Sequence, residues 1–201
     1  MAKRINTTIL LTSLVLGMSS AYADFGTTDF NQSNLYMGAE LGIASGLSNE
    51  FGSSQTAVMG RVFGGYAFNQ NLAAEVGLLG TSNFSQNYGF GQNATDSVSG
   101  IDFSGIIHPN LFNLNVNSAI NGLYARLGFH YTNESVTLNN YNFNYVNGSS
   151  SGMGLMYGFG YEFPAIARNL TARIEYIGYS SVGGISGDSM NTINAGISYH
   201  F

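Results

Sequence analysis

From Leu35 to the C-terminus, apolar and polar residues alternate with a period of two, the signature of strands with two different faces. Leu35, Met37, Ala39, Leu41 and Ile43 share one face, with Tyr36, Gly38, Glu40 and Gly42 on the other. The pattern recurs with Val58, Val62, Tyr66 and Phe68 opposite Arg61, and with Leu72, Ala74, Val76 and Leu78 opposite Glu75. Further on, Ile101, Phe103 and Ile107 oppose Asp102, and Leu123 to Tyr131 oppose Arg126 and His130. Met153 to Phe163 oppose a row of glycines, Leu170 to Tyr176 oppose Arg173 and Glu175, and Ile193 to Phe201 oppose Asn194 and His200.

These are eight strands, each near the ~9–11 residues that cross a bilayer at a tilt. An even count brings both ends of the chain to one side. Asn69 to Asn71 and Pro164 to Asn169 read as short turns, Thr81 to Ser97 and Asn133 to Gly152 as long polar loops. Within the second of these, Asn140 to Tyr145 alternates Asn with aromatics and reads as a hairpin beyond the membrane. His108 to Asn121 is unusually long for a turn and has room for a helical turn.

Residues 1–23 have the layout of a secretory signal peptide: Lys3 and Arg4, an apolar run from Ile9 to Gly17, then Ala21-Tyr22-Ala23. The apolar run is shorter than the roughly 20 residues of a helical span. Residues 24–201 are then a single barrel domain with four Arg, no Lys and 11 acidic residues, a net charge of −7. Only 8% of the chain is charged, against the roughly 25% of a soluble domain. The acidic balance argues against nucleic acid, which demands Lys and Arg patches. Zero Cys excludes disulfides, a cysteine nucleophile and thiolate zinc sites. No spacing suggests a metal ligand set or a phosphate-binding loop, so no cofactor is expected.

The composition of the two faces decides which one meets lipid. The apolar face carries no charge within the strands. The polar face is rich in Gly with isolated charges, which suits the narrow interior of an eight-stranded barrel. The expected fold is all-β, an eight-stranded antiparallel up-and-down transmembrane barrel in the bacterial outer membrane.

Several stretches carry a family resemblance. Gly64 to Gly77, Leu123 to Phe129, Gly158 to Phe163 and Ala172 to Tyr176 resemble strands and hairpins of small outer-membrane barrels. The ending Ile197-Ser198-Tyr199-His200-Phe201 is similar to the C-terminal signature of that class, with Tyr199 and Phe201 as its aromatic positions. The family is the group that includes the OmpA transmembrane domain and opacity-type proteins. The resemblance implies a Gram-negative outer-membrane protein. Its partners would be outer-membrane lipid, lipopolysaccharide, the barrel-assembly machinery and host or envelope surface ligands. It also implies a lumenal Arg/Glu network and, in some members, weak pore activity.

The candidate lumen network is Glu40, Arg61, Glu75, Asp102, Arg126, Arg173 and Glu175, with Glu162 near the periplasmic end. Threading the strands puts Glu75, Arg126 and Arg173 in the lower half and Glu40, Asp102 and Glu175 near the middle. The charges must pair, because an unpaired buried charge costs several kcal/mol. They form either a structural plug or a gate whose Arg126 or Arg173 exchanges acidic partners, giving a weak porin. His130-Tyr131-Thr132-Asn133 is similar to the His-x-Ser-Asn of a lipid A deacylase. However, Thr replaces Ser and His130 shares the inward parity of Arg126, so no enzyme is expected. Tyr141, Phe143 and Tyr145 are candidate loop contacts for a surface partner. The outer acids Glu50, Asp96, Glu134 and Asp188 come with no basic residue, which disfavours an electrostatic clamp on lipopolysaccharide phosphates.

Overall fold

A computed structural model describes residues 34–46, 55–69, 71–89, 92–108, 122–140, 143–167 and 169–201. The leader 1–23, the long turn 109–121 and Glu50 lie outside the described residues. So do Tyr141 and the side chains of Phe143 and Tyr145.

Nine strands follow in chain order: β1 (Leu35–Gly46), β2 (Gln55–Asn69), β3 (Leu72–Thr81), β4 (Phe84–Gly89), β5 (Gln92–Ile107), β6 (Leu123–Asn140), β7 (Phe143–Ala167), β8 (Leu170–Ser180) and β9 (Ser189–His200). All pairings are antiparallel, and β1 pairs with both β2 and β9. Because β3 also pairs with β5, the sheet closes into an eight-stranded ring. Strand β4 pairs with the outer part of β5 and continues the line of β3 past a break at Ser82 and Asn83. Closure leaves no strand edge inside the bilayer, where water cannot satisfy free backbone groups.

Alternation sets the two surfaces. Leu41, Leu127, Phe129, Phe159 and Ile193 are all more than half exposed and point outward. On β6 the outward apolar run extends from Leu123 to Tyr131 and gives way to Asn133 and Ser135. At ~3.4 Å per residue this run measures about 27 Å along the strand, or about 21 Å along the normal at a tilt of ~40°. That is close to the ~25 Å apolar band of such barrels.

Two expectations need correction. The segments read as long loops are largely paired backbone: β4 and β5 form one hairpin, and β6 and β7 another whose pairing runs, past a register shift after Leu138, to Asn140↔Phe143. Above the lipid a strand no longer needs an apolar face, so the alternation fades while the ladder continues. The Pro164–Asn169 turn is likewise tighter than read, since β7 reaches Ala167 and pairs there with Leu170 after a register shift. Asn169 turns the chain with φ 65, a left-handed conformation that Asn tolerates.

The interior is also less uniformly polar than its glycines suggest. One inward apolar layer includes Met59, Phe84, Val98, Met156, Ile177, Tyr179 and Met190. Another comprises Tyr36, Phe63, Ala73, Ile106 and Tyr124. Single inward apolar residues do not disturb a period-two reading built on the outward stripe, so the sequence left them unnoticed.

Candidate functional site: a buried charge layer and a lid

Six strands deliver seven charged side chains into the lumen. Glu40 comes from β1, Arg61 from β2, Glu75 from β3, Asp102 from β5, Arg126 from β6, and Arg173 with Glu175 from β8. Each is at most 3% exposed. All point inward because they share the parity opposite the lipid-facing stripe.

Arg61 and Asp102 meet fork to fork, Nε to Oδ2 at 2.8 Å and Nη2 to Oδ1 at 2.7 Å. Glu75 is the hub. It accepts from Arg126 Nη1 at 2.8 Å, Arg173 Nη1 at 2.7 Å and Arg61 Nη2 at 3.3 Å. Arg173 also donates through Nε to Glu40, and Arg126 Nη2 to Glu175 at 3.0 Å. The ion pairs therefore run between the middle and lower levels and join them into one layer. Four carboxylates face three guanidiniums in it.

Two tyrosines that the sequence reading did not single out add donors to the layer. Tyr36 Oη donates to Glu75 at 3.1 Å and Tyr124 Oη to Glu175 at 2.7 Å. The Arg173 guanidinium carbon lies 3.7 Å from the centroid of the Phe63 ring. Gly65 gives the Tyr36 ring its space, since a Cβ there would overlap the ring. The signal available in the sequence was the inward parity of Tyr36 and Tyr124 next to glycines on facing strands.

A second assembly sits toward the outer mouth. After β8 the chain turns at Ser181 (φ 56) into a single 3-10 turn, Val182–Gly184, before β9. Val182 is fully buried in the apolar layer. Gly183 N–H donates to Thr132 Oγ1 at 2.9 Å. Thr132 Oγ1 lies 3.3 Å from His130 Nδ1, and His130 Nε2 lies 2.8 Å from the Ser180 carbonyl. A carbonyl can only accept, so Nε2 carries the proton and Nδ1 accepts from the Thr132 hydroxyl. His130 and Thr132 thereby fasten the segment 181–188 as a lid. Both are buried inside the barrel, at 1% and 0% exposure.

Glu134 lies next to Gly183, above the apolar band and 5% exposed. Burial, with Asp188 and Asp96 nearby, holds its carboxyl up at about 7. Asp96 and Glu134, expected in outer loops, instead face inward from β5 and β6.

Tyr199 and Phe201 point outward at 45% and 50% exposure and meet edge to face at 5.3 Å. Glu162 lies 3.8 Å from His200 at the end of the barrel where β1 begins. Among the described residues, no group of His, Asp and Glu side chains is arranged to hold a metal ion.

A closed eight-stranded barrel with an apolar outer band and a charged interior is an outer-membrane β-barrel protein. The family model of the outer membrane protein beta-barrel domain matches residues 8–201, and the chain belongs to that family. Solved structures similar in fold include the following three. Neisserial surface protein A has a TM-score of 0.56 at 18% identity, covering 86% of this chain and all of its own. The attachment invasion locus protein Ail of Yersinia pestis has a TM-score of 0.56 at 12% identity, covering 83% of this chain and 98% of its own. The N-terminal β-barrel domain of Pseudomonas aeruginosa OprF has a TM-score of 0.50 at 12% identity, covering 85% of this chain and all of its own. No curated protein sequence matches the chain. The protein is therefore located in the bacterial outer membrane.

Proposed function

We propose that this protein is a non-conducting outer-membrane barrel with a charge-plugged lumen, whose role is structural or surface-interacting and carried by its outer hairpins. The observation that carries this reading is the composition of the lumen. The ion-paired layer shares the bore with two apolar clusters, and a single-file path would have to strip water beside buried Phe63, Met59 and Met156. A pore lined for conduction would instead keep polar groups in contact with water. Tyr199 and Phe201 would serve as the recognition end for the assembly machinery. The β6–β7 hairpin, with Tyr141, Phe143 and Tyr145 near its tip, is the candidate contact for a host or envelope ligand.

Ail has been crystallised with the heparin analogue sucrose octasulfate. A sulfated ligand of that kind would find no basic partner among the described outward residues, because Arg61, Arg126 and Arg173 are all lumenal. Lipid A deacylation is not supported either. His130 and Thr132 hold the lid and face away from lipid.

The test is planar-bilayer conductance of protein extracted from outer membranes, beside Arg126→Ala and Glu75→Gln. A silent wild type with an intact heat-dependent gel shift is expected. Reproducible channels that shift with these two substitutions would make the protein a weak gated porin instead.

A further inference from the structure

The outward face of β5, β6 and β7 changes chemistry abruptly at the top of the apolar band. Ile101, Tyr131 and Met153 mark the upper edge of the apolar band on the three strands. Above them stand two paired rows, Ser99–Asn133–Ser151 and Ser97–Ser135–Ser149. The next row up begins with Thr95 opposite Thr137. All are exposed or half-exposed, and none carries a charge. The charges at this height, Asp96 and Glu134, point inward on the opposite parity.

A sheet face exposed to bulk water ordinarily carries Lys and Glu. This one displays only hydroxyls and amides, each able to donate and accept. It also continues the lipid-facing surface without a gap. Tyr131, at the rim of the band, donates through Oη to Ser151 Oγ at 3.1 Å. The four steps along β5 from Ile101 to Ser97 rise about 13 Å along the strand, or about 10 Å along the normal at a tilt of ~40°. Whatever covers the lipid at that height lies against this face.

We propose that the outward face formed by Ser97, Ser99, Asn133, Ser135, Ser149 and Ser151 is a docking surface for the saccharide portion of outer-leaflet glycolipid. Sugar hydroxyls match its neutral donors and acceptors. The absence of carboxylates from it avoids repulsion with the anionic groups of the same lipids. The lack of exposed arginine among the described residues means that recognition proceeds through sugars rather than through a phosphate clamp.

The experiment reconstitutes the full-length protein in phosphatidylcholine vesicles. The vesicles are doped with lipopolysaccharide carrying its core oligosaccharide or, separately, with lipid A alone. Spin-labelled glycolipid immobilised per barrel is then measured. The proposal expects selective association of the core-bearing form. It further expects the triple variant Ser97→Ala, Ser135→Ala, Ser149→Ala to lose that preference by about tenfold while keeping its gel shift. Equal association with lipid A alone, or a preference unchanged in the variant, overturns it. Should the triple variant fail to fold, Ser135→Ala alone is read in the same assay, and an unchanged preference there also overturns it. Self-association of the barrels through this face, seen as cross-linking from a cysteine placed at Ser149 with no glycolipid preference, likewise overturns it.

Discussion

The Arg61 guanidinium and the Asp102 carboxylate are joined by two hydrogen bonds of 2.8 and 2.7 Å, reaching across the intervening strand β3. The two residues belong to strands that do not pair with each other, so the contact ties β2 to β5 through the lumen. The layer holds four carboxylates and three arginines, which makes its two halves unequal. Arg61→Gln leaves four carboxylates facing two cations, and an uncompensated buried charge costs about 3–5 kcal/mol. Asp102→Asn leaves three against three and keeps the shape, at a cost of about 1–2 kcal/mol. Urea unfolding in vesicles should rank the two variants in that order. The reverse ranking would mean that the surplus negative charge is not felt.

Gly77 lies under this pair. A Cβ there would stand 2.6 Å from Arg61 Nε and 2.8 Å from Asp102 Oδ2. Neither group can swing aside freely, because each is held by the other. Gly77→Ala should cost about 1–3 kcal/mol, an overpacking penalty. The same unfolding measurement checks it, with Gly80→Ala as the control, since a Cβ at Gly80 meets nothing within 4 Å.

Thr132 is the acceptor for Gly183 N–H and the partner of His130. Thr132→Val keeps the side-chain shape but leaves a buried N–H unpaired, at about 1–3 kcal/mol. That loss falls on the lid, not on the strand ladder. Proteinase K should therefore cut within 181–188 faster in the variant, while the gel shift of the barrel stays unchanged. Equal resistance would show that Val182 alone seats the lid.

The lid should also respond to pH. Burial, with Asp188 and Asp96, raises the Glu134 carboxyl from 4.5 to about 7. Burial raises Asp188 as well. An acid that holds its proton more tightly in the folded state stabilises that state at low pH and loses the contribution as pH rises. Seating of the lid is then strongest below about 4.5, weakens through the interval to about 7, and levels off above it. Protection of the Gly183 amide, its exchange rate relative to the intrinsic rate at each pH, should be greater at the acidic end. Glu134→Gln should flatten most of the dependence, leaving the smaller part due to Asp188. A profile as steep in the variant as in the wild type would assign the effect elsewhere.

Much of this protein follows from parity. A strand with one face in lipid must keep that face free of charge, so Leu41, Leu127 and Ile193 announced the outward stripe and placed Glu40, Arg126 and Asn194 inside. The same constraint made strand number and lipid-facing register legible from residue order alone. It does not extend above the bilayer. There β5, β6 and β7 continue as paired strands of Ser, Thr and Asn, residues that also read as loop.

Parity likewise says which side chains enter the lumen, but not whom they meet. That Glu75 gathers three arginines depends on strand stagger and on how far each guanidinium reaches across the bore. The same holds for the lid. Thr132 and Gly183 lie 51 positions apart and meet only because the barrel closes. Local alternation is a property of neighbouring residues in one solvent boundary. Partner choice across the lumen is a property of the closed ring, and only the tertiary structure decides it.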